Sequence, residues 1–258
     1  MTGKGEIIVA LDMKDPGEAL SLVRELAPEV TMFKVGMELF YASGSDVIDS
    51  IAGLGAKVFC DLKLHDIPAT VKRAASVLTR PGVSMIDVHA AGGSQMMVEA
   101  LAGVYEAAAV QNIQPPRVIA VTLLTSIDHD VLTHELGFGR GLTEYVVTEY
   151  VVRMAEVARA SGLNGVVTSA FEVGAIHKAC GDGFITVVPG VRPTWAGEPH
   201  DQKRFVTPRE AVFAGADYLV VGRPITRARS PRDAARALLD EVREAREDVR
   251  RGKFEHLG

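Results

Sequence analysis

Residues 56–70 read AKVFCDLKLHDIPAT, and this stretch decides how the chain folds. It opens as a short, nearly continuous apolar run, which is typical of a strand buried on both faces of a parallel sheet. The run ends among the charged side chains of Asp61, Lys63 and Asp66. Since side chains two residues apart on a strand share a face, we expect Asp61 and Lys63 to point in the same direction.

Seven similar runs flank this one, so eight strands are predicted in all. They cover residues 7–12, 31–36, 56–63, 84–90, 117–125, 165–170, 184–190 and 218–222. Amphipathic segments lie between the runs, and they predict helices at 16–26, 94–109, 142–160, 208–214 and 232–250. Alternating strands and helices favour parallel pairing, and eight such units favour a closed barrel. We therefore predict one α/β domain over residues 1–258, a single (β/α)₈ TIM barrel.

A doubly wound open sheet is the alternative fold. It is disfavoured because no glycine-rich dinucleotide fingerprint follows the first strand. The extra length of the chain lies at 126–141, after strand five, and at 191–205, after strand seven. The charged segment 241–258 is predicted to be a helical tail whose end frays into solvent.

The composition excludes several classes of protein. The 258 residues are 47% hydrophobic and carry a formal net charge of −5, which argues against a nucleic-acid partner. Neither a secretory signal nor a bilayer-spanning apolar stretch is found, so no membrane association is expected. Cys60 and Cys180 form no CxxC pair, and two separated cysteines favour a reduced protein of the cytoplasm.

Ionisable residues stand at the ends of several predicted strands, where the loops of a barrel build its active site. Lys34, Asp61, Lys63 and Asp66 form an alternating array of charge, and Asp12 ends the first strand. Such an array can act as a preorganised electrostatic field on a reacting group. The alternative is an internal ion-pair network that only closes one end of the barrel.

The loops after strands seven and eight are the second candidate site, because in such barrels they often bind a phosphate group. Segment 191–205 contains Arg192 and is long enough to close as a lid. Gly222 permits close approach of the backbone, and the Arg223 guanidinium suits a dianion. The alternative for Arg223 is a pair with a helix carboxylate.

No metal or organic cofactor is expected. His65 and His89 lie near the predicted site, but two histidines without a third ligand make a poor zinc site. They are better interpreted as positioned hydrogen-bonding groups. No Walker motif, G-x-S-x-G or H-E-x-x-H pattern is found.

These motifs together resemble the orotidine 5′-phosphate decarboxylase family. The resemblance covers nearly the whole chain. Its motifs are DLKLHDIPAT at 61–70, ALD at 10–12, FKVG at 33–36, LTS at 124–126, PGVRP at 189–193, DQ at 201–202 and VGR at 221–223. The chain departs from the family at Ala69, where asparagine is frequent, and in segment 127–141, which is longer than in compact bacterial members.

The resemblance implies conversion of orotidine 5′-phosphate to UMP and CO₂, the last step of de novo UMP synthesis. Lys63 would donate a proton to C6, with Asp61 and Asp66 beside it. Asp66 and Thr70 would come from the partner subunit of a homodimer. The implied substrate contacts are Asp12 and Lys34 for the ribose, Thr125 for the pyrimidine, and Arg192, Gln202, Gly222 and Arg223 for the phosphate.

Decarboxylation at C6 leaves a carbanion in the plane of the ring, where π delocalisation cannot stabilise it. An ammonium group beside the developing charge can stabilise it and then deliver a proton. Two other functions remain open. One is a Mg²⁺-dependent sugar-phosphate decarboxylase or synthase, a group in which an acidic ligand is expected at the position of Lys34. The other is a barrel that binds and senses nucleotide phosphates without catalysis.

Overall fold

A computed structural model describes residues 5–138, 146–196 and 206–252. Eight parallel strands in these ranges close into one barrel in sequence order. They are β1 Glu6–Ala10, β2 Met32–Gly36, β3 Lys57–Leu64, β4 Val83–His89, β5 Arg117–Val121, β6 Gly165–Val167, β7 Ile185–Val188 and β8 Tyr218–Val221. Closure is made by β8 against β1, where Val220 pairs with Ile8.

Helices connect the strands and surround the barrel. They are α1 Pro16–Leu26, α2 Met37–Ser43, α3 Asp46–Gly53, α4 Pro68–Leu78, α5 Gly93–Gln111, α6 Val146–Ala160, α7 Ala170–Cys180, α8 Pro208–Ala214, α9 Arg223–Thr226 and α10 Pro231–Arg250. The predicted (β/α)₈ barrel is thereby confirmed. Helix α1 begins at Pro16, as predicted, and the Asp15 side chain before it accepts the Glu18 N–H.

The barrel has two apolar layers, because alternate strand residues face opposite sides of the sheet. The larger layer lies between the sheet and the helices. The smaller fills the barrel interior and consists of Ile8, Ala10, Met32, Phe59, Met85, Ile119, Val187, Tyr218 and Val220. The interior is therefore a packed core, and any cavity must lie above it, at the end of the barrel toward which the strands run.

Several predicted strands are longer than the observed ones. The fifth was predicted at 117–125 and ends at Val121, and the sixth was predicted at 165–170 and ends at Val167. The residues beyond these points already belong to the loops that rise above the barrel. Among them, a single π-helical turn at Val131–Glu135 occupies part of the long segment after β5.

The opposite end of the barrel is closed by polar contacts. Arg117 on β5 donates to the Tyr218 hydroxyl across the barrel. The Asp217 carboxylate accepts the Thr186 N–H at 2.9 Å and the Thr186 hydroxyl at 3.1 Å, linking the starts of β7 and β8. These contacts satisfy buried polar groups far from the strand ends that carry the charged array.

The described ranges contain no helix with both the length and the apolar character needed to cross a bilayer.

Candidate active site

The charged residues at the mouth of the barrel continue the inward-facing rows of its core. Two residues beyond the buried Ala10, Met32 and Phe59 come Asp12, Lys34 and Asp61. A cavity of about 500 Å³ opens there, and Asp12, Lys34, Asp61 and Lys63 all line it. The period of the strands thus places an ionic layer directly above the apolar one.

Within this layer the charges alternate in space. Lys34 Nζ lies 2.8 Å from Asp12 Oδ1 and 3.0 Å from Asp61 Oδ2. Lys63 Nζ donates to the other oxygen of Asp61, Oδ1. The observed order is therefore Asp12, Lys34, Asp61, Lys63, with Asp61 bridging the two ammonium groups. Opposite charges at such distances hold one another in the ionised state.

Burial and charge oppose each other at these groups. Burial alone would raise the pKa of Asp61, but the hydrogen bond with Asp87 and the ammonium groups of Lys34 and Lys63 lower that pKa well below its usual range. Burial likewise disfavours the Lys34 cation, yet Asp61 and Asp12 outweigh it and raise the Lys34 pKa. At neutral pH the site therefore contains an ionised Asp61 and a charged Lys34.

Asp87 was missed as a site residue in the sequence, although it stands at the end of β4 beside His89. Its side chain has no solvent exposure, and its Oδ1 accepts the backbone N–H of Lys63 at 2.8 Å. Complete burial, the Asp61 charge and the hydrogen bond with Asp61 raise the pKa of Asp87 well above its usual value. The only signal in the sequence was its place two residues beyond the inward-facing Met85.

Gly36 is a second residue that the sequence did not single out for the site. A Cβ at this position would lie 3.1 Å from Asp12 Oδ1 and 3.2 Å from Lys34 Nζ. Contacts this short would force the charged pair to shift. The glycine at the end of β2 therefore leaves room for the ionic layer.

His65 and His89 lie close to the ionic layer. Their ring centroids are 5.2 Å apart. Burial, followed by the neighbouring His65 and Lys63, lowers the pKa of His89. The interpretation of His65 and His89 as hydrogen-bonding groups stays a prediction. Among the described residues, no group of three or more His, Cys, Asp or Glu side chains is arranged to hold a metal ion.

The loops after β7 and β8 form the opposite wall of the same cavity. Arg192, Gly222 and Arg223 line it, together with Arg227 on the following turn. Arg192 Nη2 also donates to the Ala196 carbonyl at 2.8 Å, and this hydrogen bond lies within the first part of the loop after β7. Gln202 and the other residues of 197–205 lie outside the described residues, so the predicted lid is described only at its first part.

A Cβ at Gly222 would make ordinary contacts, 3.6 Å from the Ala10 Cβ and 3.9 Å from Asp12 Oδ2. The protein itself therefore leaves space for a side chain at this position. The space faces the cavity, so a side chain there would meet an occupant of the cavity rather than the core.

Of three other predicted site residues, one lines the cavity and two do not. Thr125 lines the cavity on the side of β5. Asp66 and Thr70 are not among the residues that line it. The Asp66 carboxylate is exposed and accepts the Ile67 N–H at 2.6 Å, whereas Thr70 is half-buried at the start of α4.

The cavity thus combines two ammonium groups on one wall with guanidinium and backbone groups on the other. This arrangement suits a small ligand with anionic groups at both ends. Fold and site together define the chain as a (β/α)₈-barrel enzyme whose active site lies at the carboxyl ends of the strands.

Comparison with known proteins gives the family. The family model for orotidine 5′-phosphate decarboxylase / HUMPS matches residues 5–238. The chain is 49% identical over 242 residues to orotidine 5′-phosphate decarboxylase of Moorella thermoacetica, covering 94% of both chains. It is 46% identical over 244 residues to the same-named protein of Heliobacterium modesticaldum, covering 95% of this chain and 98% of that one. The chain belongs to the orotidine 5′-phosphate decarboxylase / HUMPS family.

Solved structures agree with this assignment. The crystal structure of orotidine 5′-phosphate decarboxylase from Lactobacillus acidophilus superposes with a TM-score of 0.79 at 40% identity, covering 92% of this chain and 98% of that one. The corresponding protein of Pyrococcus horikoshii gives a TM-score of 0.69 at 27% identity, with coverage of 92% and 99%. The resemblance stated from the sequence motifs is confirmed.

Proposed function

We propose that this protein decarboxylates orotidine 5′-phosphate to UMP and CO₂, the last step of de novo pyrimidine nucleotide synthesis, without a metal or organic cofactor. The observation that carries the proposal is the position of Lys63. Its ammonium group lies on the wall of the cavity and is hydrogen-bonded to the buried Asp61. A cation fixed in a partly enclosed site can stabilise a developing negative charge more strongly than it could in water.

The reaction then proceeds at C6 of the pyrimidine. The bond between C6 and the carboxylate carbon breaks, CO₂ leaves, and the electron pair remains on C6. Lys63 Nζ stabilises this pair and transfers a proton to it, which gives UMP and a neutral amine. The amine regains a proton from water before the next turnover. Asp61 holds the Lys63 ammonium group in place through its hydrogen bond.

The remaining cavity residues bind the substrate away from C6. Asp12 and Lys34 hold the ribose hydroxyls, and Thr125 contacts the pyrimidine. Arg192, Gln202, Gly222 and Arg223 grip the phosphate. Support comes from the cavity wall, which includes every one of these residues that lies in the described ranges. Binding energy from the remote phosphate can then assemble the charged site around the reacting carbon.

The active assembly is proposed to be a homodimer in which Asp66 and Thr70 complete the partner's site. Neither residue lines the cavity of its own chain, and Asp66 is exposed. The neighbouring Ile67 is 66% exposed, so its apolar side chain is accessible to a second surface. An exposed carboxylate beside an exposed apolar residue fits a contact that both covers Ile67 and directs Asp66 into another cavity.

The protein is further proposed to work in the cytoplasm. Cys60 and Cys180 are both buried free thiols. Unpaired cysteines are usual where the surroundings keep thiols reduced. The substrate is a small nucleotide, and no nucleic-acid or membrane partner is proposed.

A Mg²⁺-dependent reaction on a sugar phosphate is disfavoured by Lys34. Its ammonium group already neutralises Asp12 and Asp61, the carboxylates that a divalent cation would need as oxygen ligands. A non-catalytic sensor is disfavoured by Lys63, since phosphate binding does not require a cation at the other wall of the cavity.

One assay separates these functions. Purified protein is mixed with orotidine 5′-phosphate, and both CO₂ release and the loss of substrate absorbance are followed with and without a chelator of divalent metals. The expected result is stoichiometric CO₂ and UMP at a rate that the chelator leaves unchanged. A rate abolished by the chelator and restored by Mg²⁺ would favour the metal-dependent reaction. Tight binding without any CO₂ would favour the sensor.

A further inference from the structure

Asp87 is a buried carboxyl group that the proposed mechanism does not use. It lies on β4 with no solvent exposure and is not among the residues that line the cavity. It therefore does not reach a bound substrate. An ionisable group is rarely buried to this degree unless it is paired or neutral, so its surroundings decide what it does.

The first contact of Asp87 is with the backbone of Lys63. Between Cys60, which pairs with Ile86, and Leu64, which pairs with Val88, strand β3 advances by four residues while β4 advances by two. The extra residues form a bulge opposite Asp87. Within it, Lys63 has a left-handed backbone with φ +50°, a conformation that disfavours side chains other than glycine. Asp87 Oδ1 accepts the Lys63 N–H at 2.8 Å, replacing the ladder hydrogen bond that the bulge removes.

The second group that acts on Asp87 is the Asp61 carboxylate. After burial, the negative charge of Asp61 is the next largest influence that raises the pKa of Asp87, so the two carboxyl groups are electrostatic neighbours. Asp87 Oδ2 is completely buried and accepts no hydrogen bond from a described residue, and two ionised carboxylates could not donate to each other. One proton between the two carboxyls resolves this conflict. Asp61 bridges Lys34 and Lys63 and is held ionised by both, so the proton belongs on Asp87.

The charge count leads to the same conclusion. With Asp87 neutral, the ionic layer contains two ammonium groups, on Lys34 and Lys63, and two carboxylates, on Asp12 and Asp61. An ionised Asp87 would add a third carboxylate, fully buried, to a layer that contains two ammonium groups. Such a charge is strongly disfavoured in a site of low dielectric constant.

We propose that Asp87 is a positioning residue for the decarboxylation, in which its neutral carboxyl group holds the Lys63 bulge through Oδ1 and donates a hydrogen bond to Asp61. This role rests on the proposed function of Lys63. In this role Asp87 fixes two groups. One is the Lys63 backbone, from which the Lys63 side chain enters the cavity, and the other is the Asp61 carboxylate, which orients the Lys63 ammonium group. Buried carboxylic acids kept neutral so that they can donate a hydrogen bond are known in enzyme active sites.

Two substitutions at position 87 test whether a neutral hydrogen-bonding side chain is sufficient for the role of Asp87. In Asp87→Asn the amide oxygen can accept the Lys63 N–H while the amide nitrogen donates to Asp61, as the neutral acid does. In Asp87→Ala both contacts are lost. We expect Asp87→Ala to lower kcat by roughly 10- to 100-fold with KM changed much less, since the loss of supporting hydrogen bonds misplaces the reacting group. Asp87→Asn is expected to restore most of kcat.

Asp217→Ala is the matched control. Asp217 also accepts a backbone N–H from the neighbouring strand, but at the opposite end of the barrel. A purely structural effect would therefore lower the midpoint of thermal unfolding in both alanine variants and leave their kcat alike. The proposal requires a fall in kcat for Asp87→Ala alone. It is overturned if Asp87→Asn is as slow as Asp87→Ala, or if Asp87→Ala keeps the kcat of the unmodified protein.

An infrared measurement detects the protonation state of the Asp87 carboxyl group directly, and it requires neither substrate nor the alanine variant. The difference spectrum between the unmodified protein and Asp87→Asn at neutral pH should contain the C=O stretching band of a protonated carboxyl group. A carboxylate band in its place would overturn the neutral state of Asp87. If the unmodified protein releases no CO₂, the proposed function fails by itself, and the infrared band still decides where the proton lies.

Discussion

The Lys34 ammonium group lies 3.0 Å from the Asp61 carboxylate, and each side chain keeps only about a tenth of its exposure, 11% and 12%. Asp61 is shared, since its other oxygen accepts from Lys63. Any change at Lys34 therefore reaches Lys63 through a single carboxylate. The cavity wall behaves as one connected ionic unit in which each charge is held by its neighbour.

Removal of Lys34 tests this coupling. Lys34→Met leaves Asp61 buried with one cation fewer, and breaking a buried pair costs about 3 kcal/mol or more. We expect the free energy of unfolding to fall by roughly that amount in urea denaturation, and kcat/KM to fall as well. Arg236→Met, which breaks the more exposed pair with Glu29, is the control and should cost less than about 1 kcal/mol. Equal losses for the two variants would contradict a coupled ionic layer.

Arg223 is predicted to act on substrate binding. A charge-assisted hydrogen bond to a phosphate contributes about 1.5–3 kcal/mol, so Arg223→Ala should lower kcat/KM by roughly 10- to 100-fold. The midpoint of thermal unfolding should change little, because the side chain is exposed on the cavity rim. Steady-state kinetics with orotidine 5′-phosphate provide the measurement, and an unchanged kcat/KM would remove Arg223 from the phosphate site.

The folded protein should also lose stability below neutral pH because of His89. Its pKa is lowered in the folded state by burial and then by His65 and Lys63. The unfolded chain therefore binds a proton first as the pH falls through about 6.5, and the free energy of unfolding decreases from there until the folded pKa is reached. Urea denaturation between roughly pH 7 and pH 5 should give a shallower dependence for His89→Asn. Parallel curves for the two proteins would refute a perturbed His89.

The proposed homodimer, in which Asp66 completes the partner's active site, predicts that two inactive variants complement each other in mixed dimers. Lys63→Ala and Asp66→Ala homodimers should each be nearly inactive. After subunit exchange, about half of the dimers are mixed and each carries one intact site, so about a quarter of the normal activity should return. Mixing Lys63→Ala with Lys34→Ala is the control, because both changes affect the same chain's site and no intact site can form. No recovery in the first mixture would place Asp66 outside the partner's site.

The sequence predicts the barrel and most of the cavity wall for one physical reason. A strand repeats every two residues, so the inward-facing core positions of β1, β2 and β3 extrapolate to Asp12, Lys34 and Asp61. The same rule applied to β4 leads to Asp87, but it could not tell a buried carboxyl from one that lines the cavity. That distinction depends on the bulge in β3, which is a matter of register between two strands and leaves no periodic signal.

The sequence also did not predict the geometry of the loops. The apolar Leu123 and Leu124 lie beyond Val121, where β5 ends, so the predicted strand was too long. The left-handed backbone of Lys63 could not be predicted from the sequence either, because a lysine side chain does not favour that conformation. Both features are imposed by contacts between segments distant in sequence, such as the hydrogen bond from Lys63 to Asp87.

The variant Lys63→Ala removes the proposed proton donor and leaves the other residues of the cavity unchanged. Single-turnover CO₂ release and UMP binding are measured on the same preparation. We expect decarboxylation to fall by about 10⁴-fold or more, since both charge stabilisation and proton donation are lost, while UMP still binds measurably at the phosphate wall. Decarboxylation at the normal rate by Lys63→Ala would contradict the assignment of Lys63 as the proton donor.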